Sequence, residues 1–333
     1  MDVICPEYVK QAGKSLIIFF ASNDPIIVKI FVNGGNTFMA YLFIVSLVWA
    51  FSFGLIKNQL TGLDANFIAA ARLLISLLVF LPFLRVKNLP RKQRGALLLA
   101  GAVQYGIMYV AYNYSFQYLK AYEVALFTIF TPIYVTLIND VMQRRLHRLS
   151  LVATILAVVG TAFMKRGGGL QLEVLVGFLI VQISNLGFAF GQVYYKKVMA
   201  ALPEKKFSNL QVFGLLYLGG FLTAGLSAAV FTPWQQFSIS SNQVLVLLYL
   251  GGISSGLGFF FWNVGARKVN TGTLAVFNDL KIPLAVTVSL VFFGETANLF
   301  NLIIGGGVVL AALLLNEWGV KRQEKRSFLA SDA

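Results

Sequence analysis

The sequence predicts an all-α integral membrane protein, with ten transmembrane helices arranged as two inverted five-helix repeats. Three observations predict this fold: ten apolar stretches between residues 39 and 317, basic residues that alternate from loop to loop, and a second half that echoes the first. Lipid offers the backbone no hydrogen-bond partners, so a chain this apolar must bond its own amides within closely packed helices. Only 12% of the 333 residues are charged, whereas a soluble domain carries about 25%.

The ten predicted helices follow one another with short loops between them. Each is close to the length that crosses the hydrocarbon core of a bilayer. They cover residues 39–57, 64–85, 95–118, 121–140, 148–165, 172–196, 207–231, 242–265, 271–293 and 297–317. Several contain small residues that let neighbouring backbones approach closely, as the glycines at 305–307 illustrate.

Residues 1–38 do not fit this pattern. Their two apolar runs, 15–22 and 26–32, are each too short to span a bilayer. No small-residue cleavage site follows a long enough apolar core, so a signal peptide is not expected. We expect either an interfacial arm or the product of an early start codon, with Met39 as the true start.

The basic residues predict the orientation of the chain. They cluster in every second loop, within 85–94, 144–148, 196–206 and 267–268, and again in the tail 321–333. Basic residues near helix ends stay on the cytoplasmic side during insertion. Both termini are therefore expected in the cytoplasm. The net charge of +14 then encodes orientation and not a nucleic-acid partner.

The composition argues against several classes of protein. A membrane-embedded enzyme needs a clustered acid, base or metal site, and the single histidine, His147, and the single cysteine, Cys5, do not supply one. We expect no enzyme activity, no metal and no cofactor. The sequence contains no phosphate-binding loop, so we do not expect this chain to hydrolyse ATP or to use such hydrolysis to drive a transport step. A channel or a structural membrane protein is a competing class, and it would lack the substrate saturation that a counterflow assay detects.

The second half repeats the first at a separation of about 150 residues, a pattern found in transporters built from internal repeats. The matching positions are 51–54 with 188–191, Asn113 with Asn263, and Pro132 with Pro283. Each repeat holds an odd number of helices, so the second copy must insert upside down. Such inverted repeats place the binding site at their interface, near the middle of the membrane.

With these features the chain resembles the EamA family of the drug/metabolite transporter superfamily. The resemblance covers residues 39–320, with one repeat over 39–166 and the other over 170–320. It rests on the 5+5 layout and the mid-helix prolines, on Trp49 with Gly54, on Arg72, and on the Gly294-Glu295 pair. It implies a multi-pass carrier in the cell inner membrane that moves amino acids and other small metabolites, often outward, by alternating access.

Lys281 is the sharpest candidate for cargo binding. It lies near the middle of its predicted helix, where an ionised side chain costs at least about 2.5–3.5 kcal/mol unless it faces water or a partner. We expect it to face a cavity and to bind an anionic group or a coupling proton. Asn278 and Asp279 are expected to help line the same cavity, although burial of Lys281 against a carboxylate stays an alternative.

Arg72 and Glu123 are candidates for gating or coupling. We expect Arg72 to snorkel outward or to pair with Glu123 at the outer start of the fourth predicted helix. Glu123 is otherwise expected to be a protonatable gate.

The other candidates form polar or aromatic faces at helical spacing. Tyrosines on the third predicted helix suggest a wall for an aromatic or cationic group, with ordinary packing as the alternative. A polar stripe on the sixth is expected to face inward, because polar groups in lipid are costly. The residues expected to line the cavity are Trp49, Tyr109, Tyr112, Asn113, Gln182, Asn185, Trp262 and Asn263.

The sequence therefore predicts a secondary transporter with a central cavity lined by the first, third, sixth, eighth and ninth helices. The expected cargo is a small polar metabolite, above all an amino acid or a related carboxylate. The alternative is a cationic or nucleotide-like metabolite such as S-adenosylmethionine. Coupling to protons through Asp279 or Glu123 and exchange against a counter-substrate both stay open. So do a monomer and a homodimer in the lipid bilayer.

Overall fold

The computed structural model describes residues 37–142, 172–203, 207–268 and 271–298, with residues 300, 303, 304, 307 and 311. Every regular element in this part of the chain is helical. The long helices are α1 (Thr37–Gln59), α2 (Ala65–Phe83), α3 (Arg91–Ser115), α4 (Ala121–Met142), α5 (Leu172–Ala200), α6 (Asn209–Phe231), α7 (Ser241–Lys268) and α8 (Thr271–Phe292). Seven of them are long and apolar enough to cross a membrane, and α8 contains a shorter apolar segment, Leu280–Phe292.

These eight helices lie close to eight of the predicted ones. The largest differences are at the start of α3, which begins at Arg91 and not at residue 95, and at the end of α5, which continues to Ala200 and not only to residue 196. Pro90 is the N-cap residue of α3, and the basic residues after it form the first turn. The predicted helix 148–165, nearly all of 297–317, the segment 1–36 and the tail 321–333 lie outside the described residues. The total of ten helices therefore stays a prediction.

The helices form a ring in which each packs chiefly against two neighbours. The order around the ring is α1, α7, α2, α6, α3, α5, α4, α8 and back to α1. Helices from the first half of the chain therefore alternate with helices from the second half. The arrangement leaves a central space that both halves enclose.

Glycines set the closest contact in the ring, between α3 and α6. A Cβ atom added at Gly101 of α3 would lie 1.9 Å from the carbonyl oxygen of Leu216, and one added at Gly219 of α6 would lie 2.1 Å from that of Leu98. Small residues allow such close backbone approach, which is a main source of attraction between helices in lipid.

One end of the ring, which we call the basic end, holds the start of α3 and α8 and the end of α5 and α7. The loop after α2 and the start of α6 lie together, because the Arg85 amide donates to the carbonyl of Gln211, in the first turn of α6, at 2.9 Å. Arg267, near the end of α7, donates to Asn209 Oδ1 at 2.6 Å.

The opposite end holds the other helix termini. Asn242 Nδ2, at the start of α7, donates to Gln59 Oε1 at 3.0 Å, and the Ala121 amide of α4 donates to Glu295 Oε1 at 2.8 Å. Helices α3 and α7 therefore run in opposite directions through the ring.

Candidate functional site

A cavity lies in the middle of the ring, and we call it the chamber. Seven of the eight described helices supply its wall, including α2 and α4, which the sequence analysis did not predict. The wall consists of Trp49, Ser52, Phe53, Arg72, Met108, Tyr109, Tyr112, Thr128, Thr131, Ser184, Asn185, Phe188, Ser254, Phe259 and Lys281.

Three helices depart from regular α geometry at the level of the chamber. Helix α3 contains a π-helical segment, Ala102–Ile107, and α7 contains another, Leu250–Leu257. In α4 a 3-10 turn, Thr128–Phe130, precedes Pro132, whose ring nitrogen has no proton to donate. Such interruptions re-aim side chains and are frequent at functional sites.

Arg72 is the basic residue that α2 contributes to the wall. Only 2% of it is exposed. Its Nε donates to Ser255 Oγ at 3.1 Å and its Nη2 to the Tyr109 hydroxyl at 3.0 Å, while the guanidinium carbon lies 4.3 Å from the centre of the Tyr109 ring. Its buried Nη1 has no hydrogen-bond partner in the described part of the chain.

The expectation that Arg72 snorkels outward or pairs with Glu123 is wrong. Ser255 and Tyr109 hold the guanidinium inside the ring, where its donors reach oxygen atoms that lipid does not supply. A role for Arg72 in gating or coupling stays a prediction.

Lys281 of α8 also lies in the wall, with 6% of the residue exposed. Its Nζ lies 5.5 Å from the ring centres of both Trp49 and Phe188. That distance permits a cation–π attraction, which strengthens where water is excluded. The side chain of Asp279 lies outside the described part of the structure.

Aromatic rings form much of the remaining wall. Trp49 donates its Nε1 proton to the Ser254 carbonyl at 3.0 Å, and its ring lies 4.8 Å from Phe259. Tyr109 and Tyr112 stand edge to face at 6.2 Å. The tyrosine hydroxyl of Tyr109 also donates to Ser255 Oγ at 2.7 Å, so the aromatic face and the Arg72 cluster are one unit.

Neutral polar groups come from α4 and α5. Asn185 Nδ2 donates to the Phe127 carbonyl at 2.8 Å and to Gln182 Oε1 at 3.0 Å. Thr131 Oγ1 donates to Asn185 Oδ1 at 3.3 Å. Gln182 is not in the wall; it supports Asn185 from behind, and Tyr134 donates its hydroxyl proton to Gln182 Oε1 at 3.2 Å.

Four further candidates are buried in the bundle but do not line the chamber. Asn113 and Asn263 each donate to the carbonyl four residues earlier, at 2.7 and 2.9 Å, and Asn263 also donates to the Tyr105 hydroxyl. Trp262 packs 5.0 Å from Trp49, outside the wall. Asn278 is 2% exposed and lies one turn away from Lys281.

Glu123 lies at the opposite end of the ring, at the start of α4. Its Oε2 accepts the Lys120 amide proton at 2.9 Å. Glu295 accepts the next two amide protons, of Ala121 and Tyr122, at 2.8 and 3.0 Å. Both carboxylates therefore cap α4, where the helix dipole favours negative charge. The gating role of Glu123 stays a prediction.

Several wall residues were missed, namely Ser52, Phe53, Met108, Thr128, Thr131, Ser184, Phe188, Ser254 and Phe259. One signal in the sequence pointed to α4. Because Pro132 matches Pro283 in the repeat, the residues just before Pro132 correspond to the neighbourhood of Lys281. Nothing in the sequence pointed to the small hydroxyl residues, which are common in packed membrane helices.

Comparison with known proteins gives three findings. The profile of the EamA-like transporter family matches residues 36–166 and 175–317. A "Probable biotin transporter" of Pseudomonas aeruginosa is 39% identical over 290 residues, which is 87% of this chain and all of that protein. A "Biotin transporter" of Salmonella typhimurium is 37% identical over 287 residues, which is 85% of this chain and 95% of that protein.

A solved crystal structure of another protein shares the fold. It superposes with a TM-score of 0.62 at 16% sequence identity, over 87% of this chain and all of that one. At this identity the likeness concerns the fold alone.

The expectation of an amino-acid cargo is wrong, and so is the S-adenosylmethionine alternative. The two relatives described above, 39% and 37% identical over 87% and 85% of this chain, are named for biotin. The physical reason for the error is that a lysine in a membrane helix indicates only that the cargo carries a negative charge. It does not indicate the rest of the chemical structure of the cargo.

Proposed function

Because the chain belongs to the EamA-like transporter family, we propose that it carries biotin across a membrane and binds it in the chamber. The family match confirms the resemblance drawn from Trp49, Gly54 and Arg72. The chain is therefore a multi-pass membrane transporter of small metabolites and not an enzyme. The single observation that carries the proposal for biotin is the buried guanidinium of Arg72, with an unpartnered Nη1, in an aromatic-walled chamber.

The charge of the wall suits an anion. Arg72 and Lys281 are basic, and no aspartate or glutamate is among the described wall residues. A carboxylate replaces the water that a guanidinium would otherwise need, and a charge-assisted hydrogen bond of this kind is about twice as strong as a neutral one. Biotin has one carboxylate, at the end of its aliphatic chain, and we assign it to Arg72 Nη1.

The aromatic wall suits the other half of biotin. Its fused rings contain a thioether sulfur, and sulfur makes favourable contacts with aromatic rings at about 5 Å. Trp49, Phe188 and Phe259 are within reach of one another, with ring centres 4.8–6.2 Å apart. They offer an apolar surface on which the ring system can pack.

The neutral polar side of the wall suits the ureido group. That group carries two N–H donors and one carbonyl acceptor, so it needs both kinds of partner. Thr128, Thr131, Ser184 and Asn185 supply hydroxyl and amide groups on α4 and α5. Biotin then lies across the chamber, with its carboxylate toward α2 and its ureido ring toward these residues.

The test is biotin counterflow in proteoliposomes that contain the purified full-length protein. We expect labelled biotin to accumulate, to saturate, and to be displaced by unlabelled biotin but only weakly by biotin methyl ester, which lacks the charge. Leucine is the control for the rejected amino-acid cargo and should not compete. Absence of saturable biotin counterflow, or equal competition by the ester, would overturn the proposal.

We also propose the full topology of ten helices in two inverted repeats, with both termini in the cytoplasm and the protein in the inner membrane. Helices α3 and α7 support the inversion. Each has a π-helical segment followed by an asparagine that bonds the carbonyl four residues earlier, and the two run in opposite directions. Cysteine labelling of the two termini in intact cells tests the orientation; rapid labelling from outside would contradict it.

A further inference from the structure

Four buried polar side chains form a level of their own beside the chamber, and we call them the polar layer: Gln104, Gln192, Trp262 and Asn278. Between 0 and 5% of each is exposed, with Gln104 and Trp262 at 0%. Each carries at least one buried polar atom that has no hydrogen-bond partner in the described part of the protein. In Gln104 and Gln192 both the amide nitrogen and the amide oxygen lack one.

The register of the helices places these four side chains at one depth. Gln104 precedes the wall residue Met108 by one turn on α3, and Asn278 precedes Lys281 by one turn on α8. Both helices start at the basic end.

The other two helices run the opposite way, and their members lie after the wall. Gln192 follows Phe188 by one turn on α5, and Trp262 follows Phe259 by one turn on α7. Helices α5 and α7 end at the basic end. All four residues therefore lie one helical turn, about 5 Å along the helix axis, from the wall residues and toward that end.

Contacts between the helices agree with this placement. Gly191 packs against the side chain of Gln104, where an added Cβ would lie 2.0 Å from the glutamine Cβ, so Gln104 and Gln192 come from adjoining positions on facing helices. The Trp262 ring lies 5.0 Å from the Trp49 ring and 6.4 Å from that of Phe188, both of which line the chamber.

Packing alone does not account for these residues. A buried amide without a hydrogen bond lowers the stability of the fold, whereas leucine or methionine of similar volume would fill the same space at no such cost. Four such groups at one depth, on four different helices, are therefore available to a partner that the described residues do not supply.

We propose that the polar layer is a second cargo-binding site, which opens to water when the ring parts at the basic end and there bonds the neutral ureido part of the cargo. A glutamine amide offers both a donor and an acceptor, and so it matches the N–H and C=O groups of a ureido ring. The inference rests on the proposed function, because it takes biotin as the cargo and the chamber as the first site.

Accessibility of single cysteines tests whether the layer opens. Cys5 is the only cysteine, so a Cys5→Ser background lets Gln192→Cys be labelled alone. The control is Leu216→Cys: Leu216 is also 0% exposed and packs on α3 near the basic end, but it carries no polar group. In lipid nanodiscs with a water-soluble maleimide, we expect Gln192→Cys to react about tenfold faster than Leu216→Cys.

Substitution by leucine tests whether the layer binds cargo. For Gln104→Leu and Gln192→Leu we expect equilibrium biotin binding in the chamber to stay within about twofold of wild type, and counterflow to fall about tenfold. Arg72→Met should instead lose the binding itself, which separates the two sites.

The outcomes distinguish this inference from the proposed function. Equal labelling of the two cysteines, or wild-type counterflow by both leucine variants, overturns the second site and leaves biotin transport intact. Should wild-type protein bind no biotin, the proposed function fails. In that case rapid labelling of Gln192→Cys would still support the claim that the polar layer opens to water. Slow labelling would overturn that claim.

Discussion

Replacing Arg72 with methionine removes one of the two positive charges of the chamber wall and leaves that of Lys281. The local structure should survive, because the Tyr109 hydroxyl donates to Ser255 Oγ at 2.7 Å independently of the arginine. The described partners of Arg72 are neutral oxygen atoms, so the substitution strands no carboxylate. We therefore expect a melting temperature for the cargo-free protein that is equal to the wild-type value or higher.

The expected loss of affinity follows from one charge-assisted hydrogen bond. Such a bond contributes about 1.5–3 kcal/mol. Since 1.4 kcal/mol corresponds to a factor of ten in Kd, Arg72→Met should weaken biotin binding by about 10- to 150-fold. Arg72→Lys keeps the charge but loses the planar fork and Nη1, so its affinity should fall between those of the wild type and the methionine variant.

The assay is isothermal calorimetry or thermal-shift titration with biotin and with biotin methyl ester. Together the two proteins and two ligands form a double-mutant cycle. The ester carries no charge for Arg72 to bind, so its Kd should change by about twofold or less between wild type and Arg72→Met.

Two results would refute this reasoning. One is an equal loss of affinity for the acid and the ester, which would mean that Arg72 shapes the chamber without binding the carboxylate. The other is unchanged biotin affinity in a folded Arg72→Met protein. In either case Lys281 becomes the remaining basic residue of the wall that is able to bind the carboxylate.

Three more predictions concern other parts of the ring. Lys281→Met should abolish biotin counterflow while membrane insertion and the gel-filtration profile stay normal; wild-type transport would remove Lys281 from the binding site. Glu295→Gln weakens two charge-assisted bonds at the start of α4, at 2.8 and 3.0 Å, and should lower the melting temperature by about 2–4 °C. An unchanged melting temperature would contradict the capping role. Gly101→Ala should destabilise the protein, because its Cβ would lie 1.9 Å from the Leu216 carbonyl oxygen, whereas Gly252→Ala has no neighbour within 4 Å and is the matched control. Equal melting temperatures for these two variants would show that α3 and α6 do not depend on their close approach.

Local sequence patterns located the helices well. The structure adds local caps at three helix starts: Asp64 accepts the amide protons of Asn66 and Phe67 at the start of α2, and Ser208 and Ser240 form capping boxes before α6 and α7. These contacts involve residues within one turn of each other, so they can be recognised without knowledge of the tertiary structure.

The candidate site was predicted less completely. Lys281, Trp49, Tyr109, Tyr112 and Asn185 lie in the wall of the chamber. Trp262 and Asn278 share helices with wall residues but lie one turn further toward the basic end. The spacing along one helix does not fix the depth at which another helix crosses it, and so the sequence could not separate the two levels.

What the sequence by itself determined is the family and the eight helices that the structure describes, because the length and apolarity of each stretch are properties of consecutive residues. What only the tertiary structure decided is the rotation of each helix and the order of helices in the ring. In lipid the face that packs and the face that meets acyl chains are about equally apolar, so composition does not reveal which is which. For this reason the sequence analysis expected Arg72 to point outward. In the structure Arg72 lies in the chamber wall and donates to Ser255, from the other half of the chain.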